Sequence, residues 1–196
     1  MQTRCAWCGT DPLYIRYHDE EWGVPVTDGR TLWELLMLEG FQAGLSWITI
    51  LRRREGFRKA FAGFDPRIVA TWGEAEVAEL LQNPDIIRHR GKIEATIRAA
   101  ESFLRLEAAP GGFAGFIWSF TQGVPLQNGL QPGARAPAQT ETSLALSKAL
   151  KREGFKFCGP TITYAFMQAA GLVNDHLTTC LAYDRVAALG GPQKLS

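Results

Sequence analysis

The sequence predicts an all-α fold. Apolar residues recur three and four positions apart through most of the chain, which is the spacing of one face of an α-helix. The alternation of apolar and polar residues that is typical of a half-buried strand is almost absent. Asp, Ser, Thr and Pro precede several of the periodic segments and Gly follows them, as expected at the two ends of a helix.

The helices of the first half can be justified in order along the chain. Asp28 is a suitable N-cap before Leu32, Leu35 and Leu36, and Gly40 is the expected end of that helix. Further helices are predicted at 45–54 with Trp47, Ile48 and Leu51 inward, at 66–69 after Asp65-Pro66, at 75–81 before Asn83-Pro84, and along Ile93, Ile97, Ala100 and Leu104.

The second half contains a segment with no period. Residues 123–140 are rich in Pro, Gly, Gln and Ala, so we expect a loop there, after a short apolar segment at 113–120. Two more helices are predicted, one that Thr142 or Ser143 caps and that runs to Arg152 before Gly154, and one over 160–170 that stops at Gly171.

Composition limits the class of protein. The chain has 196 residues, of which 46% are hydrophobic and 21% charged, enough for one domain with an apolar core. Disordered and repeat proteins are excluded. No apolar stretch approaches the ~20 residues of a membrane span, and the N-terminus from Met1 lacks the apolar region of a signal peptide. We therefore expect a cytoplasmic protein.

Charge is informative only through its distribution. The formal net charge is +1, from 21 Lys and Arg against 20 Asp and Glu, so it indicates no partner. Two local basic runs stand out, Arg52-Arg53-Arg54 and Arg88-His89-Arg90-Gly91-Lys92. Such runs can bind phosphates even in a neutral protein, but each can also be a solvated helix face.

Cysteine and histidine residues near the two ends of the chain suggest a metal site. His176 and Cys180 have the i, i+4 spacing of one helical turn. Cys5 could join them with His18 in a Cys2His2 set, or with Cys8 in a Cys3His set. Buried cysteines and histidines without a metal are a third possibility, and spacing alone leaves all three open.

Glu39 lies on the apolar face of its predicted helix, three, four and seven residues after Leu36, Leu35 and Leu32, whereas Glu34 falls off that face and should be solvated. A carboxylate on a core face requires a partner or a function, either an ion pair with an arginine or a role in a site. Aromatic residues surround it in sequence: Trp7, Tyr14, Tyr17, Trp22 and Trp47. Such a set could receive a flat cationic ring, or it could be ordinary core.

The turn after Glu39 combines small, polar and apolar residues. Gln42-Ala43-Gly44-Leu45 is predicted between two helices. A loop of this composition can insert an apolar wedge into a base stack, although it could equally be a simple helix–helix turn.

Several motifs, taken together, resemble the bacterial 3-methyladenine DNA glycosylase I family. They cover residues 4–180 and stand in the same order as in that family. They are Cys5-Ala6-Trp7, Asp11-Pro12-Leu13-Tyr14-Ile15, Tyr17-His18-Asp19-Glu20-Glu21-Trp22-Gly23-Val24-Pro25, Leu38-Glu39-Gly40, Gln42-Ala43-Gly44-Leu45-Ser46-Trp47, Ile86-Ile87-Arg88-His89-Arg90-Gly91-Lys92-Ile93 and Gly171-Leu172-Val173-Asn174-Asp175-His176.

The resemblance implies a helix-hairpin-helix glycosylase that flips 3-methyladenine out of double-stranded DNA and hydrolyses its N-glycosidic bond. It implies one structural zinc ion on Cys5, His18, His176 and Cys180. It also implies base recognition by Glu39 within a pocket of Trp7, Tyr14, Tyr17, Trp22 and Trp47, of which Tyr17 and Trp47 are expected nearest the chemistry. DNA contacts are expected at Gln42, Gly44 and Leu45, and at Arg88, Arg90, Gly91 and Lys92 of the hairpin 86–93.

The resemblance also carries expectations about organisation. We expect a single unit over 1–196, with a central helical lobe at about 30–120 and a second lobe that the metal ties together from the two terminal segments. We expect it to act as a monomer. Two features depart from the superfamily: the hairpin has only Gly91 of the usual glycine pair, and the superfamily's catalytic Asp has no clear equivalent.

Two other functions are compatible with parts of the sequence. A zinc-stabilised DNA-binding module without catalysis would share the metal site and the basic hairpin, but would have no use for Glu39 on a buried face. A zinc hydrolase or deaminase would need an open metal position beside a His-x-Glu sequence, which His18-Asp19-Glu20 fits superficially.

Overall fold

The computed structural model describes residues 3–192. Met1 and Gln2, at the start of the segment in which no signal peptide is expected, lie outside these residues, as do 193–196. Ten α-helices occur within the described range: α1 Pro12–Glu20, α2 Gly29–Gln42, α3 Trp47–Ala60, α4 Pro66–Val69, α5 Glu74–Leu80, α6 Arg90–Glu107, α7 Gly112–Trp118, α8 Glu141–Arg152, α9 Pro160–Ala169 and α10 Tyr183–Ala187.

Short elements complete the fold. Three 3-10 helices lie at Ala6–Cys8, Ala62–Phe64 and Ser119–Thr121. Two strands of two residues each, β1 Leu126–Gln127 and β2 Val173–Asn174, pair in parallel with Leu126 opposite Val173. The prediction of a mostly helical protein is therefore confirmed, with one very small sheet that ties the 123–140 loop to the segment after α9.

Local sequence signals account for several helix starts. The Asp28 carboxylate accepts a hydrogen bond from the Thr31 N–H at 2.8 Å and caps α2. Asp65 accepts from the Arg67 N–H at 2.9 Å ahead of α4, whose first residue is Pro66. Both residues are N-caps as predicted, because a side-chain oxygen replaces the acceptor that the first helical N–H groups lack.

Some boundaries differ from the prediction. α2 continues past Gly40 to Gln42, and α3 begins two residues later than Leu45 because Ser46 is its N-cap. α8 is capped by Thr140, not by Thr142 or Ser143. The Thr140 hydroxyl accepts from the Ser143 N–H while the Ser143 hydroxyl accepts from the Thr140 N–H, a reciprocal pair that fixes the start earlier.

The apolar core has two parts. The larger cluster joins α2, α3, α4, α5, α6 and α7 with α8 and α9, and includes the buried aromatic residues Trp33, Phe57, Phe103, Trp118 and Phe166. The smaller cluster joins the N-terminal segment to the chain after β2 through Cys5, Tyr17, Trp22, Leu51, Cys180, Ala182 and Val186. The larger cluster thus continues beyond residue 120, into α8 and α9.

Gly171 holds the segment before α2 against the end of α9. Its φ of +71° lies in the left-handed region, and a Cβ there would stand 2.3 Å from the carbonyl carbon of Val24. The Gly23 N–H donates to the Gln168 carbonyl at 3.0 Å and the Val26 N–H donates to the Ala170 carbonyl at 3.0 Å. Only glycine allows the two backbones to approach this closely.

Every helix of residues 3–192 is too short or too polar to cross a lipid bilayer.

Candidate functional site

Four buried side chains from opposite ends of the chain meet at one point. The ligand atoms of Cys5, His18, His176 and Cys180 all lie within 4.8 Å of one another. The Cys180 sulfur is 3.5 Å from Nε2 of His18 and 3.5 Å from Nδ1 of His176, and the Cys5 sulfur is 3.7 Å from the same Nδ1. This group could hold a metal ion.

The spacing of these atoms fits a tetrahedral ion. With Zn–S bonds of about 2.3 Å and Zn–N bonds of about 2.0–2.1 Å, sulfur and nitrogen ligands stand roughly 3.5 Å apart. The second nitrogen of each ring is also engaged. His18 Nδ1 lies 2.8 Å from the Asp19 carboxylate and His176 Nε2 lies 3.0 Å from the Trp22 carbonyl oxygen. Such partners fix the tautomer and the orientation of a metal-ligating histidine.

Cys8 is not part of this group. Its thiol donates to the Cys5 carbonyl oxygen at 3.2 Å, and the set that comes together is Cys2His2, not Cys3His. The prediction of a helical turn from the His176–Cys180 spacing is wrong. Residues 176–180 form a bend and a turn, and Cys180 pairs with Thr3 in an isolated parallel β-bridge. The turn still brings both side chains to the same point, because the Cys180 N–H donates to the Leu177 carbonyl at 2.7 Å.

A cavity of about 590 Å³ lies beside the four-residue cluster. The 3-10 helix at 6–8 supplies Trp7, α1 supplies Tyr14 and Tyr17, and the first position of α3 supplies Trp47. The lining is mostly apolar, as in sites for small molecules. All five aromatic residues named from the sequence line it, together with Glu39: Trp7, Tyr14, Tyr17, Trp22 and Trp47.

Trp7 links the aromatic wall to the four-residue cluster. Its ring centroid is 4.8 Å from that of Trp22, 5.0 Å from Tyr14 and 5.3 Å from His18, each in an edge-to-face arrangement. Tyr17 is buried between this group and Trp47, whose ring is 5.6 Å away. The Trp47 indole N–H is buried without an acceptor in the described structure, so a donor is available in the cavity wall.

Glu39 is the buried acid of the cavity. Its residue is 4% exposed, and no Lys, Arg or His of residues 3–192 lies within ion-pair distance of its carboxylate. Burial raises the pKa of this carboxyl to about 8, because the charged form has lost its solvation. The ion pair considered from the sequence is therefore absent among the described residues.

The arginines nearest in sequence are engaged elsewhere. Arg54 forms a two-pronged pair with Glu21, and Arg58 bonds to Glu34 at 2.8 Å. The sequence predicts a solvated Glu34. The structure differs in part, because the Arg58 guanidinium covers this carboxylate. Arg52 pairs with Asp11 at 2.6 Å, so two of the three side chains of the 52–54 run are already neutralised.

The predicted wedge segment 42–45, called the wedge loop below, forms a tight turn between α2 and α3. The Leu45 N–H donates to the Gln42 carbonyl at 2.7 Å, and the Gln42 side-chain amide donates to the Leu45 carbonyl at 2.8 Å. Gly44 has a φ of +85°, and a Cβ there would meet nothing within 4 Å. Leu45 is 40% exposed, so an apolar side chain stands at an open tip.

The cationic side chains of the hairpin between α5 and α6 differ in their exposure and in their partners. Arg88 and His89 are exposed, and His89 caps α6 by accepting from the Lys92 N–H at 3.2 Å. Arg90 is paired with Glu74 at 2.9 Å and with Glu94 at 3.4 Å. At Arg90 and Gly91 the first N–H groups of α6 have no acceptor within the helix and are available to an anion.

Lys92 is buried, unlike Arg88 and Arg90 of the same basic run, which are exposed. Its ammonium donates to the carbonyl oxygens of Phe41 at 2.9 Å and Ala43 at 2.8 Å. Burial lowers the pKa of this amine. The carbonyls at the end of α2 attract the ammonium inward, because they have no helical partner of their own.

Sequence reasoning missed part of the cavity wall. The loop residues Leu130, Gly133, Ala134, Arg135 and Ala136 line it, and no periodic pattern marks them. Asp175 and Gln168 line it too. Asp175 accepts hydrogen bonds from Tyr164 and Gln168, each at 2.7 Å, and from Asn128 at 2.6 Å. Its position directly before His176, one of the candidate metal ligands, was the available signal.

Comparisons with known proteins show the family. A family model described as methyladenine glycosylase matches residues 7–183. DNA-3-methyladenine glycosylase 1 of Escherichia coli (strain K12) is 52% identical over 180 residues, which are 92% of this chain and 96% of that protein.

Solved structures agree as well. A crystal structure of 3-methyladenine DNA glycosylase I is 54% identical, with a TM-score of 0.90 over 92% of this chain and 100% of that one. A variant of 3-methyladenine DNA glycosylase I in complex with 3-methyladenine is 39% identical, with a TM-score of 0.89 over 92% of this chain and 97% of that one. The match spans both the cavity and the hairpin, and this chain belongs to the methyladenine glycosylase family.

Proposed function

We propose that this protein removes 3-methyladenine from alkylated DNA as a monofunctional glycosylase of base-excision repair. The observation that carries the proposal is Glu39, a buried carboxylate without a cation, in a cavity walled by aromatic rings. Burial without a cationic side chain among the described residues is costly for the ionised acid. A cationic base supplies the missing partner.

Recognition follows from the charge of the lesion. Methylation at N3 makes the adenine ring of the nucleotide positive, and a positive planar ring is attracted by aromatic faces and by a carboxylate. The rings of Tyr17 and Trp47 lie next to each other in the cavity wall. The indole N–H of Trp47, which has no acceptor in the described structure, can donate to an acceptor on the base. Neutral adenine would lose the charge-dependent part of this binding.

Hydrolysis needs little acid catalysis on such a substrate. As the bond between N9 and C1′ breaks, its electron pair neutralises the positive ring, and free 3-methyladenine leaves. A water oxygen bonds to C1′ and its proton passes to solvent, so an abasic site remains. The sugar becomes positive in the transition state, and the pocket's negative groups stabilise that charge. This chemistry explains why the superfamily's catalytic Asp is dispensable here.

DNA binding would use the hairpin and the wedge loop. The hairpin offers Arg88 and the N–H groups at Arg90 and Gly91 to phosphates, without reading bases. The wedge loop offers Gln42, Gly44 and Leu45 to the gap that a flipped nucleotide leaves. What supports both assignments is that the two segments are exposed and are linked through Lys92.

We further assign one zinc ion to Cys5, His18, His176 and Cys180. Four protein ligands close a tetrahedron, so the ion would supply structure and not an activated water. The spacing of the four ligand atoms supports this assignment. The His-x-Glu sequence does not support the deaminase alternative, because Asp19 is hydrogen-bonded to His18 and Glu20 is exposed on α1.

We place the active unit in the bacterial cytoplasm as a single chain, organised as a helical lobe and a metal-tied lobe. What supports a single chain is that the four-ligand set is complete within one copy.

Release of free base from methylated DNA tests the proposal. Purified protein is incubated with methylated duplex, and the soluble products are separated by chromatography. We expect 3-methyladenine from the parent protein and 10- to 100-fold slower release by Glu39→Gln. Tight binding without any released base would identify a damage-binding module instead, and a deaminated base left in the DNA would identify a deaminase.

A further inference from the structure

Lys92 is the only cation of the 88–92 run, within the described chain, whose charged group bonds to backbone carbonyls. Its ammonium bridges Phe41 and Ala43, which flank Gln42 at the point where α2 becomes the wedge loop. The ring of Phe157 lies 5.9 Å from the ammonium and covers it on another side. Two of the three ammonium donors are thus bonded to carbonyls and the residue is buried, which is unlike an exposed phosphate contact.

The wedge loop has few other attachments. Its internal hydrogen bonds join Gln42 to Leu45 and close the turn on itself. A Cβ at Gly44 would meet nothing within 4 Å, and Leu45 is exposed at the tip. The Lys92 bond to Ala43 therefore connects the wedge loop to α6, the helix whose N-terminus belongs to the hairpin, and the bond to Phe41 connects the end of α2 to the same helix.

We propose that Lys92 is a positioning residue for base flipping: it fixes the wedge loop relative to the hairpin, so that Leu45 enters the base stack when the hairpin holds the backbone. This inference rests on the proposed glycosylase function. A loop held in one arrangement before DNA arrives loses less conformational entropy when it inserts than a free loop does. Lys92 then contributes to the flipping step and not to binding of the free base.

The variant Lys92→Met tests this role, because methionine keeps the apolar stem and removes the N–H donors. Arg88→Met is the matched control, since Arg88 is an exposed cation on the same hairpin. The substrate is an oligonucleotide with one adenine, methylated and annealed to a complement with either thymine or an abasic-site analogue opposite. An unpaired base is already easier to extrude.

We expect Lys92→Met to lower kcat on the paired lesion by about tenfold, and by much less on the unpaired lesion. Its affinity for free 3-methyladenine should equal that of the parent, which also shows that the pocket is folded. The salt dependence of duplex binding should be unchanged. Arg88→Met should weaken binding to both substrates equally and flatten the salt dependence.

Two results would overturn the inference. One is an equal loss on paired and unpaired lesions, and the other is a flatter salt dependence for Lys92→Met, which would make it a phosphate contact. A double variant gives a separate check: Lys92→Met should add little to Leu45→Ala if the two side chains act in one step.

If Lys92→Met does not fold, Lys92→Gln keeps a donor on a shorter stem and serves in the same comparison. A parent protein that releases no base from either substrate would refute the proposed function itself. The two failures are therefore distinguishable.

Discussion

The imidazole of His176 stands 4.7 Å from the indole of Trp22, at 82° to it, and its Nε2 lies 3.0 Å from the carbonyl oxygen of the same Trp22. One member of the four-residue cluster thus supports one wall of the cavity directly. His18 does the same for Trp7, at 5.3 Å. The four-residue cluster that could hold a metal and the aromatic cavity therefore share part of their structure.

Removal of the metal should therefore weaken the base pocket. Structural zinc has apparent binding energies of ~10–16 kcal/mol in small peptides, so its loss should loosen both the 3–8 segment and the 176–180 turn. Elemental analysis should give one zinc per chain. Chelation, or Cys180→Ser, should lower the Tm and abolish the fluorescence change of the pocket tryptophans on addition of 3-methyladenine.

Cys8→Ser is the matched control for this experiment. Its sulfur bonds to a carbonyl and lies outside the four-residue cluster, so the metal content should stay at one. Loss of zinc from Cys8→Ser alone would make the Cys3His set correct.

Glu39→Gln keeps the size of the side chain and removes its charge. One charge-assisted contact to the cationic base should disappear, worth ~1.5–3 kcal/mol of transition-state or base binding. Single-turnover excision measures the loss, and the affinity for undamaged duplex should change little because the proposed phosphate contacts lie on the hairpin. An unchanged excision rate together with a lower Tm would make Glu39 a structural residue only.

The raised pKa of Glu39 predicts how stability depends on pH. In the folded protein Glu39 keeps its proton up to about pH 8, whereas an ordinary Glu releases it near 4.5. The contribution of Glu39 to the free energy of unfolding is therefore full below pH 4.5 and falls as pH rises toward 8. The slope contributed by this group is on the order of 1 kcal/mol per pH unit. Denaturant unfolding should show the fall in the parent and a flatter profile in Glu39→Gln.

The same pKa predicts the pH dependence of excision. A cationic lesion binds the ionised carboxylate better, so kcat/KM on methylated duplex should rise with pH toward about 8 in the parent. Glu39→Gln should lack this rise. A parent profile that is flat between pH 6 and 8 would mean that the protonated acid recognises the base.

The two exposed arginines of the hairpin should differ in their effect on DNA binding. Arg88 has no acidic partner within ion-pair distance in the described structure, whereas Glu74 and Glu94 already neutralise Arg90 in part. Arg88→Ala should reduce the slope of log affinity against log salt by about one phosphate contact, and Arg90→Ala by less. Equal effects of the two substitutions would contradict this ranking.

Local signals in the sequence were sufficient for most of the helices. Asp28 and Asp65 mark true N-caps because the capping side chain acts on residues two or three positions away. The periodic positions of α6 are buried for the same reason, since one helix face repeats every three to four residues. The burial of Glu39 was also predictable, because it shares a face with Leu32, Leu35 and Leu36.

Contacts between distant segments were not predictable in this way. Spacing alone could not choose between His18 and Cys8 as the partner of Cys5, since the choice depends on where α1 packs. The direction of the Lys92 ammonium depends on the end of α2, about fifty residues earlier. The cavity wall at 130–136 depends on the pairing of β1 with β2, and two paired residues leave no period in a sequence.

The separation of the cluster residues along the chain has a consequence for biosynthesis. Cys5 and His176 are 171 positions apart, and His18 and Cys180 are 162 apart. The larger core can begin to pack while translation continues, but the pocket wall formed by Trp7 and Trp22 gains its support only after Cys180 has left the ribosome. A chain interrupted before that residue should lack the completed cavity, so partly made copies should not excise a damaged base.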